Sequence, residues 1–93
     1  MTKELESLIR HAAEALLAAG AKQVYLFGSV ARGKDEQSAD IDLAVCGLPP
    51  ESFFKAMGKA RRILRRSVDL VDLDVPNPFT SYLKESGELK RVA

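Results

Sequence analysis

The sequence predicts an α/β fold, of the α+β kind, in which helices pack against a small mixed β-sheet. Two long segments repeat apolar residues at the spacing of an amphipathic helix, and three short segments are rich in β-branched residues, as strands are. Along the chain the predicted order is helix, strand, strand, helix, strand and helix. The 93 residues contain no repeat, low-complexity stretch or linker, so we expect one domain over residues 1–93.

The first helix is predicted from apolar residues that recur on one helical face: Leu5, Leu8, Ile9, Ala12, Ala13, Leu16 and Leu17. Gly20 stands where a helix commonly ends in a residue with positive φ. His11 lies on the opposite, charged face, so we expect it to be solvated and to take no part in chemistry.

The strands are predicted over "QVYLF" at residues 23–27, "DIDLAV" at residues 40–45 and "SVDLVDLDV" at residues 67–75. Residues 51–66 predict a second long helix, with an inner face made of Phe53, Met57, Ala60, Ile63 and Leu64. Asn77-Pro78 is a start signal for the last helix.

Composition and charge are those of an ordinary globular protein. Apolar residues make up 46% of the chain, charged residues 29%, and the formal net charge is +1, which does not favour general binding to nucleic acid. The single cysteine, Cys46, excludes an internal disulfide framework, and we expect it to pack as a small buried side chain. Charges run through the amino-terminal segment, unlike a signal peptide or membrane span, so we expect a cytoplasmic protein without a membrane partner.

Two aspartates mark the start of the second predicted strand. Asp40 and Asp42 are two residues apart, so they project from the same face of the strand while Ile41 and Leu43 face the core. Carboxylates held side by side repel one another unless they are protonated or share a cation. Because Mg²⁺ binds through one or two carboxylates together with waters and phosphates, this pair is a candidate Mg²⁺ site.

A candidate phosphate site precedes the aspartates, at the end of the first strand. Gly28 allows close approach to the backbone, and "SVARG" can open a short helix whose free N–H groups face an anion. Ser29 adds a hydroxyl donor, and Arg32 can reach a phosphate chain as a fixed cation. Taken singly, Gly-Ser followed by Arg-Gly also fits a plain turn, Asp40 fits a strand-end cap, and Asp42 fits a solvated position on an edge strand.

A third carboxylate is needed for two-metal phosphoryl or nucleotidyl transfer, and the third strand offers three candidates. Alternation puts Asp69 on one face of the strand and Asp72 and Asp74 on the other. We favour Asp69, which we expect to be buried among apolar neighbours, as the metal ligand or general base, and keep Asp72 as the alternative.

The stretch "GSVARGKDEQSADID" resembles the signature of the minimal nucleotidyltransferase (MNT) family, the smallest members of the DNA polymerase β superfamily. That signature is Gly-Ser, ten residues, then Asp-x-Asp, and the ten residues here are 30–39. The later "VDLVDL" at 68–73 resembles the family's third-carboxylate strand, and "YLKESGELKRV" resembles its closing helix, glycine and extended end. The resemblance implies a minimal polymerase-β-like nucleotidyltransferase fold over nearly the whole chain.

It also implies Mg²⁺-dependent transfer of a nucleoside monophosphate, expected to be AMP from ATP, to a hydroxyl group. By this resemblance Gly28 and Ser29 hold the β and γ phosphates, Asp40 and Asp42 bind two Mg²⁺ ions, and Asp69 serves the acceptor. Many such proteins are antitoxins that adenylylate a HEPN-domain ribonuclease toxin, so we expect a HEPN-type partner, with nucleic acid not a direct substrate. Two alternatives stay open: an antitoxin that acts by occlusion without catalysis, and modification of a small molecule.

A basic run occupies the second long helix. Lys55, Lys59, Arg62 and Arg66 fall along one stripe, with Ile63 and Leu64 facing inward. The stripe is either a solvated face or a docking surface for an acidic partner or RNA. No aromatic residues interleave with the run at 59–66, which does not favour stacking on bases.

Overall fold

The computed structural model describes residues 2–33 and 40–93, so the last six residues of the ten-residue spacer, residues 34–39, lie outside it. The elements are α1 (Lys3–Ala18), β1 (Gln23–Phe27), α2 (Gly28–Ala31), β2 (Ile41–Cys46), a 3-10 turn (Pro50–Ser52), α3 (Phe53–Leu64), β3 (Val68–Asp72), α4 (Pro78–Ser86) and β4 (Lys90–Arg91). The sheet order is β3-β2-β1-β4, with β2 and β3 parallel and the other pairs antiparallel. The predicted mixed sheet with packed helices is confirmed.

The two faces of the sheet are covered differently. One face packs on α1 and α3 and holds the larger apolar cluster, to which β2 contributes Ile41, Leu43 and Val45. On the other face a smaller cluster joins Phe27, Ala44, Leu73 and Leu83, the last of these from α4. Alternation along β2 therefore places Asp42 on the face of the smaller cluster.

Helix α1 forms as its apolar pattern predicts. The Thr2 hydroxyl accepts a hydrogen bond from the Leu5 N–H group at 3.1 Å and caps the helix, and Gly20 follows its end with a φ of 121°. His11 is exposed, as predicted. The prediction was wrong for Leu17, which is 37% exposed because it lies at the edge of the apolar stripe, beyond the reach of α3 and the sheet.

Helix α3 buries a narrower face than predicted. Ala56, Ala60 and Leu64 are buried, Phe53 and Ile63 pack partly against the core, and Met57 is half-buried. Two of the three buried positions are alanines, whereas the larger Phe53, Met57 and Ile63 are only partly covered. The chain leaves the helix at Arg65, which has a left-handed φ of 56°.

Strand β3 ends three residues earlier than predicted. The Leu73 N–H group still donates to the Val45 carbonyl at 2.9 Å, but the chain then turns. The Asp72 carboxylate accepts the Asp74 N–H bond at 2.9 Å, and the Asp74 carboxylate accepts the Gly47 N–H bond at 2.6 Å. These two aspartates stabilise the turn after β3, because short side-chain to backbone bonds compete with strand pairing.

Helix α4 and strand β4 form the last part of the chain. Asn77 and Thr80 form a reciprocal capping box at the start of α4, which confirms the predicted start signal. Strand β4, absent from the predicted strand order, pairs with β1 through Tyr25 and Leu26; two charged residues carry no apolar alternation that could predict it.

Within the described ranges, no helix combines the length and apolar character needed to cross a membrane.

Cys46 is half-buried against the smaller cluster, so it packs as predicted but less completely. Burial, followed by the negative charge of Asp74, raises the pKa of its thiol. The cysteine is therefore a poor nucleophile.

Gly58 offers a direct test of the helix α3 geometry. A Cβ atom there would meet the Arg62 Nη1 atom at an ordinary 3.6 Å, so Gly58→Ala should raise the free energy of unfolding in urea by about 0.5–1 kcal/mol. Gly87→Ala is the matched control: its φ of 76° disfavours a side chain, so stability should fall by about 1–2 kcal/mol. A loss of stability in Gly58→Ala would contradict the helix packing described above.

Candidate active site

Gly28 joins β1 to the short helix α2 and needs to be glycine for two reasons. Its φ is +78°, a conformation that other residues rarely adopt. A Cβ atom at this position would overlap the Asp42 carboxylate and lie 3.0 Å from its Cγ atom. Val30, fully buried in the larger cluster, anchors α2 to the core, so the Gly-Ser backbone is held at a constant position beside β2.

Asp42 lies at the centre of the candidate site because sheet pairing surrounds it. On β1 its partner is Phe27, and on β3 its partner is Asp69. Directly paired residues project from the same face, so the two carboxylates lie side by side. The Phe27 ring is supported by an edge-on contact with Phe79 of α4, with the ring centres 6.1 Å apart.

The electrostatics of Asp42 reflect this crowding. Burial raises the pKa of its carboxyl group, and the negative charges of Asp69 and Asp40 and a hydrogen bond to Asp69 raise it further. The cation of Arg32 acts in the opposite direction. The site therefore concentrates negative charge at a half-buried position, where a cation would relieve it.

The three predicted aspartates occupy different environments. Asp40 immediately precedes β2 and is exposed, although its charge reaches Asp42. Asp69 is exposed, so the expectation that it is buried was wrong: β3 is an edge strand whose site-facing side is open. Asp72 pairs with Val45 at the far end of β2, which separates it from Asp42 and leaves Asp69 as the carboxylate at the site.

The donor set fits a hard divalent cation. It consists of carboxylate oxygens, and Asp42 is held in a position where a nearby positive charge is favourable. Across residues 2–33 and 40–93, no three acidic, histidine or cysteine side chains meet closely enough to form a complete metal cage. An arrangement of one or two carboxylates suits Mg²⁺, which completes its octahedron with waters and substrate phosphates.

An open cleft of about 410 Å³ lies beside the Gly-Ser turn, between α2 and the segment that leads into β4. It is lined by Gly28, Ala31, Arg32, Gly87, Glu88, Leu89 and Lys90. Glu88 lies 3.9 Å from Arg32, measured from Oε1 to Nη1, and the Tyr82 hydroxyl donates to the same oxygen at 3.3 Å. Sequence reasoning missed Glu88 and Lys90, because only the pairing of β4 with β1 brings them to α2.

The polymerase beta nucleotidyltransferase family matches this chain over residues 15–89, a span that includes the Gly-Ser turn, Asp42 and Asp69. The chain therefore belongs to this nucleotidyltransferase family, and the resemblance to its minimal members is confirmed. No significant match is found among curated protein sequences.

Solved structures have the same fold. A minimal nucleotidyltransferase is 29% identical, with a TM-score of 0.71 over 91% of this chain and 92% of that chain. A toxin-antitoxin complex with AMP-PNP contains a chain that is 25% identical, with a TM-score of 0.72 over 95% of this chain and 72% of that chain. A complex of a tri-AMPylated Shewanella oneidensis HEPN toxin with an MNT antitoxin contains a chain that is 24% identical, with a TM-score of 0.66 over 100% and 72%.

Gly28→Ala should destabilise the protein more than Gly33→Ala. The two glycines have nearly equal φ values, +78° and +76°, so each substitution carries a backbone cost of about 1–2 kcal/mol. Only at Gly28 must the new methyl group also displace Asp42, since no described atom lies within 4 Å of a Cβ atom at Gly33. Equal losses of unfolding free energy in urea would contradict the close contact between Gly28 and Asp42.

Asp42→Asn should stabilise the protein at neutral pH in the presence of EDTA. A folded-state pKa above the unfolded value means that this carboxyl favours folding when protonated, and that the benefit is lost as pH rises through the folded pKa. Asparagine stays neutral and can still donate to Asp69. The stability gained over wild type in urea denaturation should shrink as pH falls toward about 4; a gain that is independent of pH, or a loss at pH 7, would contradict this account.

Proposed function

We propose that this protein is a Mg²⁺-dependent nucleotidyltransferase that moves AMP from ATP to a hydroxyl group of a partner protein, a HEPN-type toxin that it thereby neutralises. The observation that carries the proposal is the juxtaposition of Asp42 with both Asp69 and the Gly28 backbone. This places a candidate cation site next to a candidate phosphate site, as transfer from a nucleoside triphosphate requires.

The residues take distinct parts in the proposed reaction. Gly28 and Ser29 bind the β and γ phosphates through their backbone N–H groups and the serine hydroxyl, and Arg32 adds a fixed positive charge at the cleft. The acceptor oxygen bonds to the α phosphorus, the bond from that phosphorus to the bridging oxygen breaks, and pyrophosphate leaves. Asp69, which is exposed at the open side of the site, takes the hydroxyl proton.

Asp40, Asp42 and Asp69 would hold the metal, with two ions in the full complex. When bound, Mg²⁺ supplies Lewis-acid stabilisation of charge on the phosphates and on the oxygens that attack and leave. The negative charges of Asp69 and Asp40 beside Asp42 support its assignment, because a bound dication would relieve the repulsion among the three carboxylates.

A macromolecular acceptor suits the dimensions of the site. The cleft of about 410 Å³ can take part of a nucleotide, and Asp69 is exposed, so a hydroxyl on the surface of a large partner can reach it. The toxin-antitoxin complex with AMP-PNP and the complex with an AMPylated HEPN toxin support a partner of this kind. We also propose that the protein acts as a single domain in the cytoplasm.

Transfer is tested by incubating the purified protein with the product of the neighbouring gene, which we expect to be a HEPN-type toxin, together with Mg²⁺ and ATP labelled at the α phosphate. Asp42→Asn and Asp69→Asn should each lower the rate of labelling by on the order of 10²-fold or more, since each removes a group that acts on the reacting atoms. Asp72→Asn is the matched control: asparagine keeps the Oδ1 acceptor for the Asp74 N–H group, so labelling should stay near the wild-type rate.

The outcome separates the two antitoxin hypotheses. If wild type does not label the partner, yet both wild type and Asp42→Asn bind and silence it, the protein acts by occlusion. If Asp72→Asn abolishes labelling and Asp69→Asn does not, the third carboxylate has been assigned wrongly.

A further inference from the structure

We infer that the outer flank of α3 is a docking surface for an acidic face of the partner protein, separate from the candidate active site. This α3 basic surface consists of Lys55, Lys59 and Arg62 with the groove between α1 and α3. The inference rests on the proposed function for the identity of the partner, but not on nucleotide transfer.

The cations of this surface lie on one side of the helix. Lys55, Lys59 and Arg62 are four and three residues apart, which aligns them over a length of about 10 Å. All three are exposed, whereas Ala56, Ala60 and Leu64 are buried on the inner side of α3. Arg61 is different, since its Nε and Nη2 atoms donate to the Val68 carbonyl at 3.3 and 3.2 Å and tie α3 to β3.

No acidic residue interrupts the positive charge along the sequence of α3. Between Glu51 and Asp69 the sequence contains only basic charged residues: Lys55, Lys59, Arg61, Arg62, Arg65 and Arg66. The formal net charge of the chain is nevertheless +1, so positive charge is concentrated on α3 and balanced elsewhere. Such a field steers an acidic surface to this flank and opposes docking of a basic one.

A groove of about 220 Å³ runs beside the cations, between the end of α1 and the start of α3. It is lined by Ala18, Ala19, Ser52, Lys55, Ala56 and Lys59. The alanines give it a shallow apolar floor, and the two lysines supply the charge. An apolar side chain flanked by carboxylates, as on an acidic amphipathic helix, matches both features.

The combination of lysine side chains with an apolar floor favours a protein partner over RNA. Phosphates would pair with the lysines but would leave the alanine floor uncovered, and no aromatic side chain among the described residues lines the groove for a base to stack on. An acidic protein surface can satisfy both parts of the groove.

The α3 basic surface does not overlap the candidate active site. Helix α3 packs on the sheet face that holds Ile41, Leu43 and Val45, whereas Asp42 projects from the opposite face. A partner bound at α3 therefore leaves the cleft beside Gly28 open. A partner of larger size that docks at α3 must therefore extend around the sheet edge to present its hydroxyl at Asp69.

The test is a double charge reversal, Lys55→Glu with Lys59→Glu, in the full chain. The control is Lys3→Glu with Lys84→Glu, which changes the net charge equally at exposed positions on α1 and α4. Association with the same partner protein used in the transfer experiment is measured by surface plasmon resonance, and AMP-PNP binding by calorimetry. Circular dichroism and urea denaturation establish that each variant folds.

The α3 reversal should slow association about tenfold or more at about 50 mM salt, and the difference from wild type should shrink at about 0.5 M salt. The control should associate at close to the wild-type rate, and AMP-PNP binding should be unchanged in both. Lys55→Gln with Lys59→Gln should give an intermediate loss, because it removes the attraction without adding repulsion.

Unchanged association in the α3 reversal, or an equal loss in the control, would overturn the inference. So would a short RNA that binds wild type, competes with the partner and is released by the α3 reversal. Labelling of the partner by wild type at saturating partner concentration tests the proposed function separately. If labelling fails but association depends on Lys55 and Lys59, the docking surface stands and the transfer hypothesis fails.

Discussion

The close approach of the Asp42 carboxylate to the Gly28 backbone is the constraint on which the rest of the site depends. It requires β1 and β2 to pair in a register that sets Phe27 opposite Asp42, and it leaves no room for a Cβ atom at residue 28. The parallel pairing with β3 then brings Asp69 beside Asp42. The Asp42 carboxylate is therefore surrounded by β1, β3 and the start of α2, which explains why it is crowded and partly shielded from solvent.

The sheet separates stability from chemistry by its two faces. Most of the apolar core lies under α1 and α3, so the strands can place charged side chains on the other face without opening that core. Grouping the carboxylates on this face then costs electrostatic free energy at the site itself, and it does not disturb the packing of the larger apolar cluster. The proposed docking surface follows the same division. Helices α1 and α3 cover the core with their inner sides and expose their outer sides, where a partner could bind.

Much of the fold could be predicted because its main elements are strongly patterned. The apolar repeat of α1, the three strands and the Asn77-Pro78 start were found close to their observed positions. The errors have physical causes: Asp72 and Asp74 bind backbone N–H groups and end β3 early, and Asp69 is exposed because β3 is an edge strand. Strand β4 is too short and too charged to show a pattern, so Glu88 and Lys90 at the cleft were missed.

By itself the sequence determined the local chemistry. It gives the positions of the carboxylate side chains, the glycines that allow a positive φ, and the apolar faces of α1 and α3. These properties depend on side-chain type and short spacing, which are present in the linear chain. Only the tertiary structure decided that Asp69, and not Asp72, is the neighbour of Asp42, and that the segment before β4 forms one wall of the cleft opposite Arg32. Strand register and order join residues that are distant in sequence, and local patterns do not specify which strands pair.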